Sequence, residues 1–268
     1  MTDPFSHSAP YIKFRDCRNT VQVTLLNYVP PCEARIDKVN DDFYYVRSTH
    51  ELRLYNKTAT VRGDNKRSIR RAFNNIKAII NCNYESPENV RFLTLTYAEN
   101  MTVKERIPKD AHRFFRRLRG AYGSFEYLYC KERQGRGAWH LHVVVFFDHR
   151  APYMENEDVA AMWGHGFVNV QGFSDDINNL GNYLCAYLTD DKETGKKGAR
   201  LLNYEAGVRL YNCSKGIARP IERTMSYDEY MELRSDEGIK EVSARESNLT
   251  LDTGRTLTVR YELHRKVF

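Results

Sequence analysis

The pattern of apolar and polar residues predicts that the chain begins with strands. Residues 19–28 and 43–55 are rich in β-branched and aromatic residues, and a Pro-Pro pair interrupts the chain between them. After Asp64, apolar residues recur every three or four positions from Ile69 to Ile80. This spacing predicts a helix, and its basic residues predict that the other side of the helix is polar.

Strands and helices alternate through the rest of the chain. Residues 91–97, 125–132 and 139–147 have the composition of strands. A helix is predicted between the first two, beginning at Pro108 and ending at Gly120. The other predicted elements are a helix over 155–163, a turn leading into a strand over 163–170, a helix from Ser174, Asp175 or Asp176 to Thr189, a strand over 208–214, and a short helix with two strands after 226.

These elements together predict an α+β fold, in which an antiparallel sheet is flanked by helices. We expect a β-rich N-terminal segment of residues 1–64, a central domain of residues 65–222 and a small C-terminal extension of residues 223–268. A chain of 268 residues is long enough to bury a substantial core.

The composition is ordinary for a globular protein, with 41% hydrophobic and 28% charged residues. No apolar run approaches the roughly 18 residues that a membrane helix needs, and the polar first residues do not resemble a signal peptide. The six cysteines form no CxxC pair, which favours reduced thiols. These features predict a cytoplasmic protein, and a net charge of +6 permits a polyanionic partner.

Two histidines in the predicted strand 139–147 are candidates for metal binding. His140 and His142 are two positions apart, so their side chains point to the same face of a strand. Glu132 ends the preceding predicted strand and lies beside them if the two strands pair as a hairpin. Two nitrogens and one carboxylate suit Mg²⁺ or Mn²⁺, and they also suit Zn²⁺. A purely structural pair of histidines is the alternative.

Two tyrosines lie on the predicted helix that ends at Thr189. Tyr183 and Tyr187 are four positions apart and border the apolar stripe of this helix, which runs from Ile177 to Leu188. At this position their hydroxyls would reach a cleft at the surface of a sheet. Buried structural tyrosines are the alternative.

The order of these motifs resembles that of the rolling-circle replication initiators of the HUH endonuclease superfamily. The resemblance covers roughly residues 65–220, and it is similar to the initiators of Gram-positive plasmids and integrative elements. It implies an RRM-like or ferredoxin-like antiparallel sheet. The motifs are FLTLTY at 92–97, GAWHLHVVVF at 137–146 and YLCAYLTD at 183–190, with WGHGFV at 163–168 and RLYNCSKGIARP at 209–220.

The resemblance also implies an activity and the residues that perform it. His140, His142 and Glu132 would bind a divalent Mg²⁺ or Mn²⁺, and Tyr183 or Tyr187 would attack DNA and form a 5′-phosphotyrosine. The central domain would then be an HUH endonuclease domain that nicks and rejoins single-stranded or hairpin origin DNA.

The chain departs from the family pattern in one respect. Many members carry a lysine three residues after a tyrosine, whereas Ala186 and Asp190 occupy those positions here. A lysine of the following loop, such as Lys192, is a candidate replacement. We favour Tyr183 as the nucleophile and expect Tyr187 to act as a second nucleophile or a positioning group.

Three further residues have supporting positions. Thr94 and Thr96 share one face of the first motif strand, and the resemblance implies that they support the site. His165 lies between two glycines and is expected in a turn.

Basic residues form three groups around the motifs, at 66–71, 113–119 and 192–200. Three such groups favour contacts with a DNA backbone. Trp139 and Tyr97 are candidates for stacking on bases, although core positions are favoured for both. The candidate DNA-binding residues are Arg113, Arg116, Arg117, Lys192, Lys196, Lys197 and Trp139.

The sequence leaves other functions open. An HUH relaxase or transposase would share the chemistry but not the biology. A non-catalytic nucleic-acid-binding protein on an RRM-like sheet would keep the histidines as structural residues, and an unrelated metallohydrolase would not need the tyrosines. The sequence contains no GxxxxGK[ST] stretch, so unwinding of duplex DNA would depend on a host helicase.

Overall fold

A computed structural model of the chain describes residues 5, 11–27, 36–47, 49–55, 66–134, 137–173, 208–250, 254 and 256–267. The chain divides into two compact units. The terminal unit consists of Met1–Thr58 together with Pro220–Phe268, and the central unit is Ala59–Arg219. The three-part division predicted from the sequence stays a prediction, because the two units are defined by their internal contacts and not by independent folding.

The described residues form thirteen strands and four helices, which confirms the predicted α+β class. The strands are β1 Tyr11–Cys17, β2 Thr20–Leu26, β3 Ile36–Lys38, β4 Phe43–Val46, β5 Glu51–Leu54, β6 Val90–Thr96, β7 Glu126–Arg133, β8 Trp139–Phe146, β9 Val168–Gln171, β10 Tyr211–Cys213, β11 Ile221–Met225, β12 Ile239–Thr250 and β13 Thr256–Lys266. The helices are α1 Lys66–Asn83, α2 Arg106–Tyr122, α3 Asn156–Trp163 and α4 Tyr227–Ser235, with a short 3-10 helix at Pro87–Asn89. None of the helices in these ranges is long and apolar enough to cross a membrane.

The central unit contains a five-stranded antiparallel sheet with the order β10-β7-β8-β6-β9. Along the chain its elements follow as β6-α2-β7-β8-α3-β9. This is the β-α-β-β-α-β succession of a ferredoxin-like fold, with β10 added beside β7. Strand β8 therefore lies in the middle of the sheet, paired on both sides.

The two faces of this sheet pack against different helices. One face carries Leu95, Leu141 and Val143 and is covered by α2 and α3, whose Phe114 and Val159 join the same core cluster. The opposite face carries a second buried cluster to which α1 contributes Ile76, Ile79 and Ile80, packed with Phe92, Leu128, Val144 and Phe146 of the sheet. Because side chains alternate along a strand, even-numbered residues of β8 belong to the face of α1.

The end of α2 differs from the sequence-based prediction. Gly120 was expected to end the helix, but α2 continues to Tyr122 and its C-cap is Gly123, whose φ is +83°. Gly123 donates its backbone N–H to the carbonyl of Arg119. The left-handed conformation favours glycine at this position, so the prediction named the wrong one of two nearby glycines.

The terminal unit contains a second five-stranded antiparallel sheet with the order β11-β1-β2-β13-β12. Its buried cluster includes Ile12, Val21, Val23 and Leu25 from β1 and β2, together with Tyr230 from α4. The short helix and two strands predicted after residue 226 are confirmed. Strands β3, β4 and β5 form a separate three-stranded sheet.

A buried polar network lies in the terminal unit, beneath α4. Glu262 on β13 accepts a hydrogen bond from the Tyr230 hydroxyl at 2.8 Å and forms an ion pair with Arg260 at 2.8 Å. Its second oxygen lies 3.0 Å from Nε2 of His264. Both Glu262 and His264 are almost fully buried. The carboxylate is thus fully engaged, which offsets the cost of burying its charge.

This network predicts that the terminal unit loses stability in acid. Burial alone would raise the pKa of Glu262, but hydrogen bonds from His264 and Tyr230 and the charge of Arg260 together lower the pKa below its usual 4.5. The contribution of this group to stability is therefore present above pH 4.5 and is lost as the pH falls through the lowered pKa. We expect Glu262→Gln to destabilise the unit by roughly 2 kcal/mol at pH 7 and by less in acid.

Denaturant unfolding between pH 3 and 7 measures this difference. The matched control is Glu246→Gln, which changes an exposed glutamate on the neighbouring strand β12. An equal effect of the two substitutions at pH 7 would contradict the assigned role of the Glu262 network.

Candidate functional site

His140 and His142 lie on β8, the middle strand of the central sheet, and point to the same face. This is the face to which α1 contributes its isoleucines, opposite to α2 and α3. His140 is 9% exposed and His142 is 3% exposed. The spacing predicted this shared face, and the register of the sheet confirms it.

Glu132 lies where the predicted hairpin puts it. Strands β7 and β8 pair antiparallel, with Glu132 directly opposite His140 and Cys130 opposite His142. The Glu132 carboxylate is buried and bonds to Nε2 of His142. The structure thus brings His140, His142 and Glu132 together, as the sequence predicted, and their role as metal ligands stays a prediction.

Two threonines of β6 flank the histidines on the other side. Thr94 is opposite His142 and Thr96 is opposite His140. The Thr94 hydroxyl lies 3.4 Å from Nδ1 of His142, while Nε2 of the same ring bonds to Glu132. Both ring nitrogens of His142 therefore have neighbours that orient the imidazole, as the outer partners of metal-binding histidines do.

Sequence analysis missed two other residues on this face. Cys130 is fully buried beside His142, and Tyr211 of β10 is opposite Cys130 and half-buried. Cys130 is two positions before Glu132 on the same strand, so the period of a strand was sufficient to find it. Tyr211 could not be found in this way, because its placement depends on the pairing of β10 with β7.

The donor set fits a divalent cation by its chemistry. Two imidazole nitrogens and one carboxylate, held on adjacent strands, are ligands that Mn²⁺, Mg²⁺ or Zn²⁺ accept. Over the described part of the chain, no group of three or more His, Cys, Asp or Glu side chains is already arranged around a metal position. Glu132 and His142 instead bond to each other.

Several predicted residues lie outside the described residues. These include both candidate nucleophiles and the basic residues of the loop that follows them, namely Tyr183, Tyr187, Lys192, Lys196 and Lys197.

The predicted DNA-binding residues of α2 do not lie with the histidines. Arg113, Arg116 and Arg117 are exposed, but they belong to the helix that covers the opposite face of the sheet. Arg117 donates to the carbonyl of Met162 at 2.9 Å. Their charges therefore do not contribute to the site formed by His140 and His142.

Trp139 is a core residue and not a stacking platform. Its side chain is 1% exposed, and its indole N–H donates to the carbonyl of Thr102 at 3.1 Å. A base cannot stack on a ring that is covered on both sides. Tyr97 is likewise buried in the core.

The WGHGFV motif forms a structural unit that we name the Gly166 clasp: Tyr97, Asp110, Trp163, His165 and Gly166. The Tyr97 hydroxyl donates to Asp110 at 3.2 Å, and Nε2 of His165 lies 3.5 Å from the other oxygen of Asp110. The Trp163 indole donates to the carbonyl of Thr96 at 2.9 Å. The clasp thus ties α2, α3 and the end of β6 together, and it places His165 on a carboxylate instead of in a simple turn.

The clasp also excludes Tyr97 as a nucleophile. Burial, reinforced by the negative charge of Asp110, raises the pKa of the Tyr97 phenol far above its usual value. Burial similarly raises the pKa of Tyr129 to about 12. Both tyrosines are on the face covered by α2, away from the histidines.

Gly166 is the residue of the clasp that tolerates least change. Its φ is +151°, and a Cβ at this position would lie 2.5 Å from the backbone N of Ala98 and 2.5 Å from the backbone O of Thr96. We expect Gly166→Ala to destabilise the central unit by roughly 3 kcal/mol, because backbone atoms cannot move aside cheaply. Urea unfolding measures this loss.

Gly172→Ala is the matched control. A Cβ at Gly172 would meet nothing within 4 Å, so this variant should stay within about 0.5 kcal/mol of the unmodified chain. Equal stability of the two variants would contradict the close approach of Gly166 to β6.

Comparison with known proteins gives one match. Residues 90–192 match the model of a family of replication-associated proteins, the ORF2 family. The matched range begins at β6, includes His140, His142 and Glu132, and extends through Tyr183 and Tyr187. No curated protein and no solved structure matches the chain. The family match supports a role for the chain in the initiation of replication.

Proposed function

We propose that the chain initiates rolling-circle replication by nicking and rejoining single-stranded origin DNA with a tyrosine nucleophile and a divalent metal ion. One observation carries this proposal: His140 and His142 share a face of the middle strand with Glu132 directly across from them. These three residues lie inside the range that matches a replication-associated family. Tyr183, within the same range, is the proposed nucleophile.

The proposed step conserves atoms and charge. The phenol oxygen of Tyr183 forms a bond to phosphorus as the bond from phosphorus to the 3′ oxygen breaks. The phenol loses its proton to solvent, and the departing 3′ oxygen gains one. The products are a free 3′-OH, from which a polymerase can extend, and a 5′-phosphate esterified to the tyrosine.

The buried face of the sheet suits this reaction. Mn²⁺ or Mg²⁺ held by His140, His142 and Glu132 would place positive charge beside the non-bridging oxygens of the phosphate. The neighbours of His142, Thr94 and Glu132, hold its ring in one orientation. Burial of the histidines keeps bulk water from screening charges at this position.

The phosphotyrosine bond retains the free energy of the broken phosphodiester, so rejoining needs no ATP. A second tyrosine at position 187 would accept a second strand, and two successive transfers close a circle. The proposed substrate is single-stranded or hairpin DNA, because a phosphodiester in a regular duplex is hard to align for attack. A host helicase would supply the single strands.

Formation of a covalent adduct tests the proposal. The purified chain is incubated with overlapping single-stranded segments of the DNA that encodes it, with Mn²⁺, with Mg²⁺ or with EDTA. We expect a denaturation-resistant protein–DNA adduct with either metal and none with EDTA. Mass spectrometry of the digested adduct should find the nucleotide on the peptide that contains Tyr183.

A non-catalytic DNA-binding protein would give a different result. Its binding would survive EDTA, and no adduct would survive denaturation with any segment or metal. That outcome would overturn the proposal.

A further inference from the structure

The sheet of the terminal unit separates charge between its two faces. We define the outer face as the face turned away from α4. Glu241 and Glu246 of β12 point away from this face, because they are in register with His264 and Arg260 of the inner network. At the strand positions described, the outer face carries five basic residues and one acidic residue: Lys13, Arg15, Lys240, Arg245, Arg265 and Glu222.

One row of residues crosses the whole outer face. From β11 to β12 the row is Thr224, Lys13, Thr24, Tyr261 and Arg245, with one residue on each strand. Neighbouring strands are about 4.8 Å apart, so the row is about 19 Å wide. It has a cation near one end, a cation at the other, and an aromatic ring between them.

The row is accessible. Tyr261 is 50% exposed, and Lys13, Arg245 and Thr224 are also exposed. Arg15 contributes less, because it forms an ion pair with Glu222 at 2.7 Å. Lys13 lies 5.5 Å from the ring centre of Tyr11, which is on the same face.

We propose that the outer face of this sheet binds single-stranded DNA. Tyr261 stacks on a base, while Lys13, Arg245 and Arg265 contact backbone phosphates. An exposed ring within a basic sheet is a feature with which proteins bind single strands, since every base has a face that can stack. The bases of a duplex are already stacked on each other, so they cannot reach a ring set within a sheet. The choice of DNA over RNA rests on the proposed function.

Fluorescence anisotropy of a labelled oligothymidylate tests this proposal on the full chain. EDTA is present throughout, so that binding is measured without strand cleavage. We expect Tyr261→Ala to weaken binding by about five-fold to a hundred-fold without changing the dependence on salt. The triple variant Lys13→Gln, Arg245→Gln, Arg265→Gln should lower the slope of log affinity against log salt by about two.

Two controls match these changes in the central unit. Tyr153→Ala removes a tyrosine that is 78% exposed, and it should not alter binding. The triple variant Lys109→Gln, Arg150→Gln, Lys215→Gln removes the same charge from exposed positions and should lower the slope by less. Thermal unfolding of each variant checks that it folds.

Three results would overturn the proposal. They are unchanged binding by both outer-face variants, an equal loss in the control triple variant, and equal competition by a duplex of the same sequence. Ultraviolet crosslinking of the unmodified chain gives a measurement that does not depend on variants. Crosslinks that avoid the β13 peptide around Tyr261 would also overturn it.

The result can be separated from the proposed nicking activity. If the outer-face variants lose binding while no segment and metal ever yield an adduct, the nicking activity fails and the DNA-binding surface stands. If an adduct forms but the outer-face variants bind normally, the surface proposal fails alone.

Discussion

His140→Ala is expected to lower the rate of adduct formation by about a hundred-fold to a thousand-fold. The side chain lies directly opposite Glu132 on the middle pair of strands, so its removal takes away one of three proposed donors. The same substitution should abolish the metal effect on stability. Mn²⁺ should raise the Tm of the unmodified chain, because an ion that binds only the folded state stabilises it.

His149→Ala provides the control for this prediction. His149 is exposed at the end of the loop after β8, and its replacement should leave both the adduct and the Mn²⁺ effect unchanged. A Tm shift with Mn²⁺ that persists in both His140→Ala and His142→Ala would place the metal elsewhere. A normal adduct in His140→Ala would contradict the proposed mechanism.

Tyr183→Phe is expected to have the largest effect, a loss of adduct by roughly a thousand-fold or more. The substitution removes the oxygen that would bond to phosphorus and leaves the ring in place, so packing changes little. Gel separation after denaturation measures the adduct, and anisotropy in EDTA should show that DNA still binds. The matched control is Tyr153→Phe, at an exposed tyrosine.

Tyr187→Phe separates the two tyrosines. If Tyr187 serves the second transfer, its replacement leaves the first adduct intact and blocks release of a closed product. Loss of the first adduct in Tyr187→Phe alone would make Tyr187 the nucleophile.

The histidine site was predictable from the sequence because it is made from neighbouring strands. The apolar run from Trp139 to Phe146 forms the strand β8, and a short loop makes pairing with β7 the simplest arrangement. Once the hairpin is assumed, the alternation of side chains puts Glu132 next to the histidines. The role of these residues as ligands, and that of Tyr183, are not settled by this placement.

The parts that escaped prediction depend on contacts between distant segments. The Gly166 clasp joins Asp110 on α2 to His165 after α3, and neither residue carries a signal of the other in its local sequence. The α2 arginines form a basic group in the sequence, yet the pattern does not say which face of the sheet the helix covers. Strand β1 was missed because Lys13, Arg15 and Asp16 interrupt its apolar positions.

The pairing of β2 with β13 has a consequence for how the protein is made. Asn27 and Thr258 bond to each other although they are 231 positions apart in the chain. On a ribosome, β1 and β2 emerge long before the strand that completes their sheet, whereas every strand of the central sheet has emerged before β11. The central unit can therefore fold during synthesis, while the terminal sheet closes only after the last strand is released. In the meantime the edge of β2 is open to wrong partners, so shortening the C-terminus is expected to cause aggregation during expression.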